Sequence, residues 1–139
     1  MGTRQPAKSS FKSLRVYQLS EKLSDAIWDA ASGWGRLERD TVGKQLIRSA
    51  DSVGANIAEG VGRGSYQDNR RFVRNARGSL YETHHWLRRA HQRRLLTDRS
   101  VKIIKPLIDE LEPRLNAYLR SIGPVAPQDE TDVLESAGQ

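Results

Sequence analysis

Seven side chains, Arg70, Arg74, Arg77, Tyr81, His84, Arg88 and His91, recur in steps of three and four and so share one flank of a helix. No acidic residue interrupts them. Like charges at this spacing cost a helix roughly 0.2–0.5 kcal/mol per pair, so the row calls for a neutralising partner. Phosphate would serve. The planar arginine fork pairs bidentately with phosphate, and the tyrosine and histidine rings offer faces on which bases stack. The chemistry expected of the row is therefore contact with an RNA or DNA backbone, with Arg63 close to its start. The competing arrangement pairs the arginines with Asp109, Glu110 and Glu112 further along the chain, or with carboxylates of another subunit.

Other spacings point to chemistry less well. Glu82 and His85 make a Glu-x-x-His pair of the kind that holds metals in di-iron bundles, but a second pair and two inward glutamates are missing, and both residues face away from the apolar stripe. His84 and His91 share a face with Arg88 between them, which repels a cation. The run Gly60-Val61-Gly62-Arg63-Gly64 matches neither phosphate-loop spacing nor a dinucleotide fingerprint, and no strand precedes it. No nucleophile has a recognisable base beside it. A non-enzyme with no metal, no cofactor and no small-molecule substrate is expected.

Charge supports the first reading. The chain has 23 basic residues, 17 of them arginine, against 17 acidic ones. Four of the acids, Asp129, Glu130, Asp132 and Glu135, lie in the last 17 residues, which leaves the rest with 23 basic against 13 acidic groups, a net charge of +10. A polyanionic partner is favoured. The absence of cysteine rules out disulfides and thiolate metal sites. Neither a signal-peptide core nor an apolar run of about 20 residues is present, so a cytoplasmic protein without a membrane span is expected.

The elements that position the row read as four helices. Val16, Leu19, Leu23, Ala26, Ile27 and Ala30 define the first, from a cap at Ser13 to Ser32, with Gly33 ending it. Tyr17 and Trp28 fall off that stripe and are expected to make a subunit contact. After a loop plugged by Trp34, Asp40 or Thr41 caps a second helix with Val42, Leu46, Ala50, Val53 and Ile57 inward. Its other side is small, with Gly43, Ser49, Ser52, Gly54, Ala55, Ala58 and Gly60. Glycine inside a helix costs about 1 kcal/mol against alanine, so this side is expected to be packed closely against a neighbouring subunit, with Arg48, Ser52, Asn56 and Glu59 at the contact.

The third helix opens at Ser65, with Asp68 completing a capping box, and runs from Tyr66 to about Arg94 on a core stripe of Phe72, Ala76, Leu80, Thr83, Leu87 and Ala90. The fourth keeps steps of three and four through Val101, Ile104, Ile108, Leu111, Leu115, Leu119 and Ile122, read as near-parallel bundle packing, with at least one bend expected at Pro106 or Pro113. The result is an all-α, up-down-up-down antiparallel four-helix bundle over residues 11–122, a flexible basic arm at 1–10 and a disordered acidic tail at 123–139.

Gln45, Arg48, Ala50, Ser52, the block Asn56-Ile57-Ala58-Glu59-Gly60 and Arg63, followed by Phe72, Ala76, Gly78, Ser79 and Leu80, resemble the bacterial four-helix-bundle family encoded by intervening sequences in 23S ribosomal RNA genes. The resemblance covers roughly residues 11–96. It implies a homopentameric ring with a basic surface, and a structural or interface role for Asn56, Glu59 and Arg63. A related branch, the accessory proteins of diversity-generating retroelements, is similar in fold and binds nucleic acid and a reverse transcriptase. Gly54-Ala55 replaces a proline usual before the Asn-Ile-Ala-Glu-Gly block, and Trp34-Gly35 stands where an aromatic and proline are usual; neither threatens the fold. An oligomeric nucleic-acid-binding accessory protein is the leading expectation. A scaffold docking an acidic protein, such as a reverse transcriptase or ribosomal component, is the alternative.

Overall fold

A computed structural model describes residues 4–5 and 10–123. The acidic tail expected at 123–139 lies outside the described residues except for Gly123. Four long helices carry the fold: α1 (Arg15–Ser32), α2 (Lys44–Val61), α3 (Tyr66–Gln92) and α4 (Asp98–Ser121). No strand occurs among the described residues, only a bridge between Arg4 and Ser65. Cross-helix neighbours fix the direction of each helix. Gly54 meets Tyr17 and Ser20, Gly60 meets Asn69 and Phe72, Ser49 meets Thr83, and Arg70 reaches Ile122 while His84 reaches Glu112. Each pair runs antiparallel, as a four-helix bundle requires.

Helix starts follow side-chain chemistry, with two departures from expectation. Ser65 accepts from the Asp68 amide at 3.1 Å and Thr97 from Ser100 at 3.1 Å, so α3 and α4 open on conventional caps. Ser13 does not cap α1; Ser10 caps a 3-10 turn, Phe11–Ser13, and α1 begins only after Leu14. Neither Asp40 nor Thr41 caps the second helix. The chain re-enters helical geometry at Arg36–Glu38, passes through a π-helical stretch, Arg39–Gly43, and continues into α2 without a break. The Thr41 hydroxyl donates back to Leu37 instead. Trp34 folds against the core near Gly43, as a plug should.

The buried residues of α3 are Asn69, Val73, Ala76, Leu80, Thr83, Leu87 and Ala90. Their spacing alternates four and three without exception. A straight helix drifts about 20° per heptad against such a seam, so the buried face rotates along α3. That rotation corrects one expected core residue. Phe72 lies half-buried at the edge, sandwiched between the guanidinium groups of Arg63 and Arg71, each 4.6 Å from its ring centre, and Val73 takes the core place. α4 buries Ile104, Ile108, Leu111, Leu115 and Leu119 and continues helical across Pro106 and Pro113.

Small residues on α2 serve the bundle itself. A Cβ on Gly54 would lie 2.9 Å from Ser20 Oγ on α1, and one on Gly60 would lie 3.2 Å from the Asn69 carbonyl on α3. Ser49 is fully buried, accepting from Thr83 of α3 at 3.0 Å. At Gly54, Gly60 and Ser49 the close approach is to helices of the same chain. α2 and α3 make the tightest pair, and α3 and α4 the loosest of the sequential ones.

Candidate nucleic-acid interface

The row on α3 divides into two parts. At its start, Arg70 is half-buried and donates through Nη1 to the Ile122 carbonyl at 2.8 Å, so it closes the end of α4 as well as heading the row. Arg74 and Arg77 follow, partly exposed, and both are engaged in interactions. Beyond them Tyr81 is 48% exposed, Arg88 and His91 stand in solvent, and His84 bonds Glu112 Oε2 across to α4 at 3.0 Å. The helix geometry thus brings all seven residues to the flank that borders α4.

Of the three acids expected to compete for this row, Glu112 meets it at His84. Asp109 pairs with Lys105 at 2.9 Å, and Glu110 pairs with Arg15 at 3.0 Å and Arg114 at 2.8 Å. Partial desolvation pushes the Glu110 carboxyl up, but its hydrogen bonds to Arg15 and the charges of Arg15 and Arg114 outweigh this and hold it below the usual 4.5. Glu112 reaches the row through His84.

Arg63 sits apart from the row's outer half. It bridges Glu59 at 3.0 Å and covers Phe72, so its charge is shared between the carboxylate at the end of α2 and an aromatic face. An unexpected element joins it. Gln5, inside the expected arm, donates through Nε2 to the Arg63 carbonyl at 2.5 Å and accepts from Asn69 Nδ2 at 2.9 Å, while its amide donates to Gly64 at 3.1 Å. A single glutamine thereby satisfies backbone at the α2–α3 connection, a role that composition does not reveal.

The residues expected at a subunit contact scatter. Arg48 bridges Glu82 of α3 within the same chain, the Ser52 hydroxyl donates to Arg48 O at 2.8 Å, and Asn56 donates to Ser52 O at 2.8 Å. Glu59 is taken by Arg63. Each has an intramolecular partner. Tyr17 packs on the core and against Phe11, ring centres 4.8 Å apart, with its hydroxyl near Glu21. Trp28 differs from all of these. It is 60% exposed beside a shallow depression of about 210 Å³ formed with Ala31, Arg39 and Ile47.

Glu82 accepts from Arg48 and from Trp86 Nε1, so the Glu-x-x-His pair with His85 is split between an ion pair and an aromatic contact. Among the described residues no three His, Asp or Glu side chains cluster as metal ligands, and no helix is long and apolar enough to cross a membrane.

The four helices lie almost wholly within a region that matches a known family. The sequence model of the 23S rRNA-intervening sequence proteins matches residues 12–117, from the 3-10 turn through most of α4. This chain belongs to the 23S rRNA-intervening sequence protein family. A similar fold is seen in a crystal structure of a protein of unknown function from the S23 ribosomal protein family of Bacteroides thetaiotaomicron. That chain superposes on this one with a TM-score of 0.66 at 22% identity, over 76% of this chain and 99% of its own. No curated protein matches. In this 23S rRNA-intervening sequence protein Asn56 bonds within α2, Glu59 holds Arg63, and of the three only Arg63 reaches α3, over the Phe72 ring.

Proposed function

We propose that this member of the 23S rRNA-intervening sequence family is a non-enzymatic nucleic-acid-binding protein that grips RNA or DNA backbone through the outer face of α3, working in the cytoplasm. The observation that carries the reading is the row itself. Arg74, Arg77 and Arg88 share one flank with the exposed ring of Tyr81, and no acidic residue of α3 interrupts it. Phosphates neutralise such a row and release counterions, so binding should weaken steeply with salt.

The same reading includes self-association. Several copies of a short basic row around a closed ring, a homopentamer in the family pattern, gain avidity with no new contact per copy. Exposed Trp28 is the residue best suited to seal neighbouring subunits.

Fluorescence anisotropy of labelled structured RNA and duplex DNA, over a ladder of salt concentrations, tests the proposal. The matched variant is Arg74→Gln with Arg77→Gln and Arg88→Gln. Arg70 is left intact because it also holds α4. Weaker binding to every sequence with a flatter salt slope supports the row; equal binding by the triple variant places the contact elsewhere. Binding to an acidic protein from lysate after nuclease treatment, with no affinity for nucleic acid, would instead favour a docking scaffold.

A further inference from the structure

The outer end of the row opens onto a groove between α3 and α4. It encloses about 310 Å³, near the lower limit for small-ligand sites. Its floor is aliphatic: Leu87, Leu96, Val101, Ile104 and Ile108. Its rim is ionic. His84, Arg88 and His91 stand on the α3 side, and Lys105, paired with Asp109, stands on the α4 side. Arg88 makes no ion pair among the described residues, so it is the rim's uncommitted cation.

An apolar floor with a cationic rim selects a ligand that has a flat or apolar body and an anionic end. Two sources share that chemistry, an acidic amphipathic peptide and a nucleotide. Continuity decides between them. His84, Arg88 and His91 belong to the row and to the groove at once, so a strand whose phosphates follow Arg74 and Arg77 passes directly over the groove mouth. Single-stranded segments can splay an unstacked base out of the strand, and here the aliphatic floor offers apolar contact for its ring while Arg88 offers a cation for its phosphate.

We propose that the α3–α4 groove takes one unstacked nucleotide, its base against Val101, Leu96 and Ile104 and its phosphate at Arg88. The inference rests on the nucleic-acid reading of the row and adds to it a preference for single-stranded or looped segments over perfect duplex.

The test uses the full chain and 5′-AMP, with ribose 5-phosphate and inorganic phosphate as base-free controls, followed through the imidazole proton resonances of the three histidines. His84 and His91 line the groove, whereas His85 packs on Trp86 and serves as the internal reference. The expected result is a saturable shift of His84 and His91 with AMP, about tenfold weaker or absent with ribose 5-phosphate, and no shift of His85. Filling the groove by Val101→Trp should abolish the AMP response and weaken binding to a looped RNA while duplex affinity stays unchanged.

Equal shifts with ribose 5-phosphate, or no shift with AMP, overturn the groove assignment even if the chain binds duplex through the row. A base-dependent shift in a chain that binds neither RNA nor DNA polymer supports the groove and removes the reading of the row. A response to an acidic amphipathic peptide in place of AMP makes the groove a protein-docking surface and overturns the proposal.

Discussion

Arg70 Nη1 donates to the Ile122 carbonyl at 2.8 Å, tying the start of α3 to the residue that caps the end of α4. The end of α4 would otherwise expose unsatisfied carbonyls, and a cation there also opposes the negative end of the helix dipole. Arg70→Gln is expected to cost about 1–2 kcal/mol of stability, visible as a lower urea midpoint with an unchanged slope. An unshifted midpoint would show that the α4 terminus is held by other contacts.

Two glycines in neighbouring helices should respond to alanine in opposite directions. A Cβ at Gly60 would lie 2.5 Å from Asn69 Oδ1 and 3.2 Å from both the Asn69 carbonyl and Phe72 Cβ, so backbone must move. Gly60→Ala should destabilise by about 1–3 kcal/mol. Nothing lies within 4 Å of a Cβ at Gly78, where Gly78→Ala should add up to about 1 kcal/mol. Thermal unfolding of the two variants side by side settles the sign of each.

Arg94 ends α3 in the left-handed conformation, φ 61°, with the Leu95 amide bonded to Ala90 O at 2.9 Å and the Arg94 amide to His91 O at 3.0 Å. This is the pattern of a Schellman cap, which favours glycine at the place Arg94 occupies. Arg94→Gly should raise stability by about 1 kcal/mol. A loss instead would mean that the arginine side chain contributes more than its backbone strain costs.

Glu110 supplies a pH dependence of known sign. Its folded value lies below the usual 4.5, so its contribution is complete above that pH and fades as pH falls through the folded value. Glu110→Gln should therefore unfold earlier than the natural chain at neutral pH, with the gap closing below about pH 4.5. A gap that persists in strong acid would assign the effect to packing rather than charge.

Removing residues 124–139 takes away Asp129, Glu130, Asp132 and Glu135, four carboxylates joined to the bundle through Gly123, which abuts Arg70 and Tyr66. Affinity for duplex DNA should rise severalfold at low salt and converge with that of the full chain at high salt. Equal affinities at low salt would show that these acids do not compete for the row.

The seams of α2 and α4 were legible because large aliphatic residues fill nearly every inward position, and the capping box at Ser65 and Asp68 named the start of α3 to the residue. α3 was harder. Asn69 is polar yet 5% exposed, so an apolar stripe skips it and settles on the larger Phe72, one place out of register. Reading strict sevens through Ala76, Thr83 and Ala90 back to Asn69 would have found it. The intramolecular use of Gly54, Gly60 and Ser49 was hidden because small residues signal close approach without saying to what. Gln5 gave no signal at all: its value lies in which carbonyls it meets, and those come from residues some sixty positions away. The arginine row was fully legible as a set, but that Arg70 also closes α4 depends on where Ile122 ends.

Pro106 and Pro113 carry no amide proton, so the carbonyls one turn before them, at Lys102 and Asp109, lose their i+4 helical donor in a helix that continues through both. The same helix faces α3 across the loosest of the sequential contacts, whereas α2 and α3 are bolted together at Ser49 and Thr83. α4 is still packed along α1, and the expected order of amide exchange is α4 before the α2–α3 pair, with the groove between α3 and α4 widening whenever α4 opens locally.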